Sequence, residues 1–187
     1  TGYTFIGWDK EIPTTMPGRN VTIKAQWKIN QYTITFDTDG GTEVLPITQD
    51  YNTTITKPEN PTKTGYKFDS WNKEIPSTMP AENVTVKALW TIGRYTITFD
   101  TDGGTEILPI TQDYNTPVTV PDDPTRTGYV FAGWDKDVPT LMPGEDVTVK
   151  ALWNKLYTLS YDTDGGSEIP SVTAVIGTPI VVPADPI

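Results

Sequence analysis

The strongest constraint on this chain is an internal repeat of 63 residues. The tripeptide Thr-Gly-Tyr at residues 1–3 returns at residues 64–66 and again at residues 127–129. The tryptophan at position 8 follows the same shift, to Trp71 and Trp134. A period this regular indicates a tandem array of small structural units. The 187 residues are therefore not expected to form one large domain.

A second landmark places the joints between repeats. The segment YTITFDTDGG begins at Tyr32, returns at Tyr95 and, with small changes, at Tyr157. The second interval is one residue shorter because the connector at 154–156 is one residue shorter than the connectors at 28–31 and 91–94. Loops absorb such deletions, whereas packed strands do not, so the joint lies here. The predicted domains are a C-terminal half repeat at 1–27, complete repeats at 32–90 and 95–153, and an N-terminal half repeat at 157–187. Because a lone half repeat exposes half a core, we expect neighbouring chains or a longer array to complete the terminal halves.

Hydrophobic residues within a repeat alternate with a period of two, which is typical of half-buried strands. In residues 84–90 the side chains of Val84, Val86 and Trp90 fall on one face, with polar residues between them. Residues 32–37 alternate in the same way and are followed by Asp-Gly-Gly, which favours a tight turn. Two of the strands of each module are therefore predicted directly from the pattern.

Two further strands are predicted near residues 47–51 and 66–71. Trp71 follows Phe68 at an odd offset, so a β-bulge near Ser70 is needed to turn the indole inward. The proline-rich stretch between these strands predicts an irregular connection, because proline cannot donate to a ladder. The enrichment in β-branched and aromatic residues supports an all-β fold. Each complete repeat is thus predicted as a small four-stranded module with little helix.

The recurring large apolar residues are predicted to form the core of each module. A module of about 63 residues without disulfides needs nearly every large apolar group that it can bury. The six tryptophans and nine tyrosines are also suited to stacking on sugars, but their recurrence at core-like positions favours packing. The predicted core residues are Tyr32, Ile34, Phe36, Tyr66, Phe68, Trp71, Met79, Val84, Val86, Trp90, Tyr95, Phe99, Tyr129, Phe131, Trp134, Met142 and Trp153.

Composition excludes several classes of function. The chain has no histidine and no cysteine, which rules out Ser-His-Asp or Cys-His nucleophiles, Cys/His zinc sites and disulfides. A net charge of -10 argues against binding to nucleic acid or anionic lipid. Hydrophobic residues form no run long enough to cross a bilayer, so we expect no membrane insertion, with any export signal or anchor outside these residues. None of the carboxylates lies in a definable pocket, so the chain is predicted not to be an enzyme.

One motif resembles the start of a calcium loop. Residues 37–41 read Asp-Thr-Asp-Gly-Gly, but an EF-hand requires further oxygen ligands and a glutamate at its twelfth position. A plain hairpin turn is therefore favoured, and no metal or cofactor is predicted. If calcium does bind, Asp37, Asp39 and Glu43 are the first carboxylates to test.

Asparagine sequons recur near the start of the last strand, at Asn20 and Asn83. The third copy has Asp146 at this position, so a glycan is not essential there. Asn or Asp at the mouth of a strand is ordinary turn chemistry.

Three ordered motifs carry a family resemblance. They are YTITFDTDGG at 32–41, PTKTGYKFDSW at 61–71 and MPAENVTVKALW at 79–90. Together they resemble the Listeria–Bacteroides repeat, a family that includes the B repeat of internalin B and occurs in large bacterial surface proteins. The resemblance spans every copy, complete or partial. It implies a β-grasp-like (ubiquitin- or SUMO-like) sheet in each module. It also implies a non-catalytic repeat that is extracellular, at the cell surface, either attached to the cell wall or secreted.

Two functions remain open at this stage. In the first, the modules form a stalk or spacer that projects an adhesive or binding domain, with neighbouring repeats of the same chain as partners. In the second, the modules themselves bind, either other copies in an extracellular filament or a host-surface receptor or glycan. Open sheet edges offer a route to such pairing.

Overall fold

The computed structural model describes the whole chain, Thr1–Ile187, and contains eleven β-strands and no helix. It divides into two compact units, Thr1–Ile92 and Gly93–Ile187. Each unit contains one complete repeat and one half repeat. The prediction of an all-β chain with four strands in each complete repeat is confirmed.

The first unit contains six strands in two sheets. They are β1 (Tyr3–Trp8), β2 (Ala25–Ile29), β3 (Gln31–Asp37), β4 (Ile47–Asp50), β5 (Tyr66–Trp71) and β6 (Val84–Ile92). Strands β1 and β2 form an antiparallel pair in the half repeat. The complete repeat forms a sheet of order β4-β3-β6-β5, in which the central strands β3 and β6 run parallel. The first and last strands of a complete repeat are therefore neighbours.

The second unit repeats this arrangement around one long strand. Its strands are β7 (Arg94–Asp100), β8 (Ile110–Asp113), β9 (Tyr129–Trp134), β10 (Val147–Leu159) and β11 (Val172–Val175). Strand β10 runs parallel to β7, and it pairs antiparallel with β9 and, at its C-terminal end, with β11. The same strand thus closes the complete repeat and opens the half repeat.

The joints between repeats are not the loops that the length change suggested. Only Asn30 separates β2 from β3, and β10 passes through residues 154–156 without a break. The connector amides are paired, since Asn30 N–H donates to the carbonyl of Gly2 at 2.9 Å and Leu156 N–H donates to that of Gly128 at 2.8 Å. A segment with paired backbone groups continues a strand, even where the sequence tolerates a deletion.

The predicted bulge and tight turn are confirmed, but the turn does not close a plain hairpin, because the β3–β4 ladder ends at Ile34–Ile47 and residues 35–46 lie between them. Phe68 lies opposite Trp90 and Ser70 lies opposite Leu89, so one residue of β5 has no partner in β6. The bulge returns Trp71 to the face that carries Phe68. At the Asp-Gly-Gly turn, Asp39 adopts a φ of 50°.

The core of the first complete repeat lies between the sheet and two irregular connections. Ile55 and Ile75, which come from these connections, are buried against Ile34, Val86 and Met79 of the predicted core. Sequence reasoning missed both isoleucines because the connections have no periodicity. The connections also bond to each other, since Thr54 and Thr78 form a β-bridge. Two tied coil segments therefore cover the face of the sheet.

The predicted core residues divide by burial. Those buried in the two cores are Ile34, Phe36, Met79, Val86, Phe99 and Met142. Those partly buried against a core are Tyr32, Trp71, Val84, Tyr95 and Trp134. The half-buried remainder are Tyr66, Phe68, Trp90, Tyr129, Phe131 and Trp153. In the first repeat the phenylalanine and tryptophans of these sets make edge-to-face contacts, with Phe68 5.4 Å from Trp71 and 5.5 Å from Trp90. This row extends the core toward the sheet end beyond the bulge.

Candidate functional site

The most developed side-chain cluster of each complete repeat surrounds the Asp-Gly-Gly turn after the first strand. Asp37 Oδ1 accepts the N–H of Asp39 at 3.0 Å, and Thr38 Oγ1 donates to the carbonyl of Gly41 at 3.0 Å. In these local bonds, short polar side chains pair with backbone groups of the turn that have no partner in a strand ladder. They fix the direction in which the Asp39 carboxylate leaves the turn.

Two lysines meet at Asp39. Lys87 Nζ lies 2.7 Å from Asp39 Oδ1, while Lys63 Nζ donates to the Asp39 carbonyl at 2.7 Å and lies 3.8 Å from Oδ2. The hydrogen bond from Lys87, with its positive charge, holds the pKa of the Asp39 carboxyl below its ordinary value. The same contact raises the pKa of Lys87. The pair is solvent-exposed, so salt will screen its charge interaction.

Aromatic rings form the floor of the cluster. The Lys63 ammonium lies 4.6 Å from the centre of the Tyr66 ring and 5.7 Å from that of Trp90, within the range of a cation–π contact. The indole N–H of Trp90 donates to the carbonyl of Thr38 at 3.1 Å. Trp90 also closes over Gly41, where an added Cβ would lie 2.6 Å from Cζ2. The turn is thus held to the sheet by charge, by an indole hydrogen bond and by close packing.

The second complete repeat builds the same cluster with one change of side chain. Arg126 replaces Lys63, lies 4.1 Å from the centre of the Tyr129 ring and pairs with Asp102 at 3.3 Å. Lys150 lies 3.3 Å from Asp102, and Trp153 Nε1 donates to the carbonyl of Thr101 at 3.0 Å. Sequence reasoning missed the Lys63/Arg126 position. The signal was a positive charge kept before Thr-Gly-Tyr in both copies.

The three candidate calcium ligands do not form a common site. Asp37 is occupied by a backbone amide, and the Asp39 carboxylate faces Lys87 and Lys63. Glu43 is exposed, and no group of three acidic side chains in the chain is arranged to hold a metal ion. The cluster is built to hold a turn closed. The expectation that no metal binds at these residues stays a prediction.

The sequon asparagine has a structural partner. Asn83 Oδ1 accepts the N–H of Thr33 at 2.9 Å, across the pair formed by the first and last strands. In the second repeat Asp146 Oδ1 accepts the N–H of Thr96 at 2.8 Å. Asn and Asp share this acceptor oxygen, which explains why either residue serves at the position.

The joint in the first unit is a packed interface. The ring of Tyr51 covers Gly2, whose φ of 76° and close approach both exclude a side chain. Tyr51 also meets Tyr3 edge to face at 5.9 Å, and its N–H donates to the carbonyl of Asn30 at 2.8 Å. Asn30 in turn accepts a bond of 2.6 Å from the hydroxyl of Thr4. Half repeat and complete repeat are therefore joined by contacts on both sides of the connector.

Comparison with known proteins matches residues 32–88 and 95–151 to the Listeria-Bacteroides repeat domain. A protein of Evansella cellulosilytica, named putative Gly-rich membrane protein, is 30% identical over 99% of this chain and 25% of its own length. Internalin H of Listeria monocytogenes serovar 1/2a is 35% identical over 62% of this chain and 23% of its own length. The chain spans about a quarter of the length of these relatives.

Among solved structures, domains 3-4 of the Streptococcal High Identity Repeats in Tandem (SHIRT) from a cell surface protein share 22% sequence identity with this chain. The similarity covers 66% of this chain and 96% of that one, with a TM-score of 0.22. None of the chain forms a helix with the length and hydrophobicity needed to span a bilayer. The repeats are similar to those of internalin-type surface proteins.

Proposed function

The chain belongs to the Listeria-Bacteroides repeat domain family, and from this membership we propose that it is a non-catalytic spacer in the extracellular part of a bacterial surface protein. Its role is to hold a binding or adhesive domain away from the cell. The functional units are the complete repeats at 32–90 and 95–153, and their direct partners are neighbouring repeats of the same chain.

The observation that carries this proposal is the structured joint. Asn30 alone interrupts the path from β2 to β3, and β10 runs through its joint as one strand. Tyr51 packs on Gly2 beside the first of these joints. A spacer needs joints that resist bending, because flexible linkers let the ends of an array approach each other.

Each repeat suits this role as a reduced form of the β-grasp fold. A central parallel pair, β3 and β6, is flanked by the antiparallel partners β4 and β5. Two tied coil segments stand in the place that a crossing helix takes in the full fold. A module of this kind has its chain entry and exit on adjacent strands, which allows end-to-end repetition.

Small-angle X-ray scattering on the chain tests the spacer role. We expect a monomer at every concentration, with the distance distribution of an elongated particle. A short Gly-Ser insertion next to Asn30 should broaden that distribution. The same insertion next to the exposed Leu45, which lies in a surface loop, is the matched control and should leave it unchanged. Equal effects of the two insertions would contradict the structured joint.

Self-association is the second candidate, and the open sheet edges favour it. Strands β4 and β5 each pair on one side only, which leaves backbone groups for another strand. In the same scattering series, a mass that grows with concentration would support a filament in place of a spacer. Binding of the chain alone to host cells or to a glycan array would instead make the repeats the adhesive element.

A further inference from the structure

We propose that the parallel pair of strands at the centre of each complete repeat is a mechanical clamp that resists tension applied along the chain. The inference deepens the proposed spacer function and rests on it, since a stalk under load transmits force through every repeat. The clamp is formed by β3 and β6 in the first repeat and by β7 and β10 in the second.

The direction of loading follows from the topology. The chain enters a repeat at the N-terminal end of β3 and leaves it at the C-terminal end of β6. Because the two strands are parallel neighbours, these two points lie at opposite ends of the seam between them. Tension therefore slides one strand along the other. The four register pairs from Ile34–Val84 to Asp37–Lys87 are loaded together rather than one after another.

The seam is shielded from water on its core face. The side chains of Ile34 and Val86 on that face are completely buried, while the side chains that alternate with them are exposed on the other face. Strand β4 pairs with β3 at Gln31–Ile34 and β5 pairs with β6 at Ala88–Ile92, so the flanking ladders hold the two strands next to the seam along the chain. The buried face limits the exchange of the seam's hydrogen bonds for bonds to solvent, so breaking them under load is costly.

Three side-chain contacts bridge the same seam outside the ladder. Asn83 holds the N–H of Thr33 at one end. At the other end the indole of Trp90 holds the carbonyl of Thr38, and Lys87 holds Asp39. Each contact joins the first-strand side to the last-strand side, so each is strained when the strands slide. The contacts extend the seam beyond its four ladder pairs.

The second repeat preserves every part of this arrangement. Its ladder runs from Ile97–Val147 to Asp100–Lys150 in the same parallel register. Asp146 bonds the N–H of Thr96, and Trp153 bonds the carbonyl of Thr101. The exchange of Asn83 for Asp146 between copies keeps the acceptor oxygen that crosses the seam. Both complete repeats therefore carry the clamp.

The absence of cysteine from the chain makes a direct test possible, because introduced cysteines give unique attachment points for single-molecule force spectroscopy. Lys28→Cys with Thr91→Cys applies tension across one repeat in the shear direction. Lys28→Cys with Asp50→Cys is the matched control. It opens the antiparallel pair β3–β4 from the Gln31–Asp50 end, and that ladder also has four register pairs.

At the same loading rate, we expect the shear pair to unfold the repeat at a force severalfold higher than the control pair. Forced unfolding reports the barrier for the loaded path and not the equilibrium stability. Equal forces for the two attachment geometries would overturn the proposal. The pairs Thr91→Cys with Asn154→Cys and Thr91→Cys with Asp113→Cys repeat the comparison in the second repeat if a variant of the first fails to fold.

The bridging contacts are tested in the shear geometry. Asn83→Ala should lower the unfolding force, whereas Asn83→Asp should preserve it, as the second repeat does naturally. These results are separable from the spacer role. An elongated monomer that unfolds at equal force in both geometries would retain the spacer and refute the clamp, while a filament-forming chain with a severalfold force ratio would retain the clamp and refute the spacer.

Discussion

At the scale of single residues, the Asp-Gly-Gly turn is held by a charge pair on the protein surface. Lys87 lowers the pKa of the Asp39 carboxyl below the ordinary value of 3.8 and Asp39 raises that of Lys87 above 10.5. An acid whose pKa is lowered by folding stabilises the fold above its unfolded pKa, and this contribution is lost as pH falls through the folded pKa. A base whose pKa is raised by folding stabilises the fold below its unfolded pKa, and this contribution is lost as pH rises through the folded pKa. The pair therefore stabilises the fold at pH values between the pKa of Asp39 and that of Lys87.

Removing the lysine of this pair should return the pKa of Asp39 toward its ordinary value. In Lys87→Gln, we expect the pKa of Asp39, followed by carboxyl NMR shifts during titration, to rise toward 3.8. High salt should produce a smaller shift in the same direction, because the pair is exposed. Lys150→Gln is the control, since it removes the equivalent lysine of the second repeat and should leave Asp39 unmoved. An Asp39 pKa that does not respond to Lys87→Gln would contradict the pairing.

Gly41 is packed so tightly that the addition of a single methyl group causes a clash. A Cβ there would lie 2.6 Å from Trp90 Cζ2 and 3.0 Å from the carbonyl oxygen of Thr62. We expect Gly41→Ala to lower the free energy of unfolding by about 1–3 kcal/mol, because Trp90 must move away from its bond to Thr38. Urea unfolding followed by tryptophan fluorescence measures the change. Gly18→Ala, where a Cβ meets nothing within 4 Å, should have a much smaller effect.

At the scale of elements, the irregular connections contribute to the core as much as the strands do. Ile75 is buried in the connection between β5 and β6 and packs in the cluster that contains Met79 and Ile55. Ile75→Ala should cost about 2–5 kcal/mol of unfolding free energy, since it leaves a cavity that the tied connections cannot close. Leu45→Ala, at a side chain that is 72% exposed, should change stability by less than about 0.5 kcal/mol. Chemical denaturation of both variants makes the comparison, and similar losses would contradict the packing.

The same elements show what the sequence could predict. Strands β3 and β6 followed from alternation, and the bulge in β5 followed from the odd offset between Phe68 and Trp71. Ile55 and Ile75 had no period to reveal them, because coil segments place side chains by tertiary contacts alone. The Lys63 contact with Trp90 was hidden for a related reason, since it joins residues that only the register of β5 and β6 brings together. Strand periodicity can thus be read from neighbouring residues in the sequence. The cluster of Lys63 and Trp90 forms only when the sheet is complete.

At the scale of the whole molecule, burial is confined to the complete repeats. All the fully buried apolar side chains lie between Ile34 and Ala151, and none belongs to residues 1–27 or 157–187. In the half repeat at the N-terminal end, Phe5 and Trp27 contact each other but remain 44% and 58% exposed. Local opening is governed by the apolar contacts that an element must break. The half repeats should therefore open far more often than the complete ones.

Hydrogen exchange measures this difference with controls inside the chain, because each strand of a half repeat has an equivalent in a complete repeat. Strand β1 corresponds to β5, and β11 corresponds to β4 and β8. We expect amides of β5 to exchange at least about a hundredfold more slowly than those of β1 after correction for intrinsic rates, which corresponds to about 3 kcal/mol of opening free energy. Equal protection in dilute solution would mean that the half repeats hold a core of their own. Protection of β1 and β11 that rises together with protein concentration would instead mean that the half repeats of different copies complete each other.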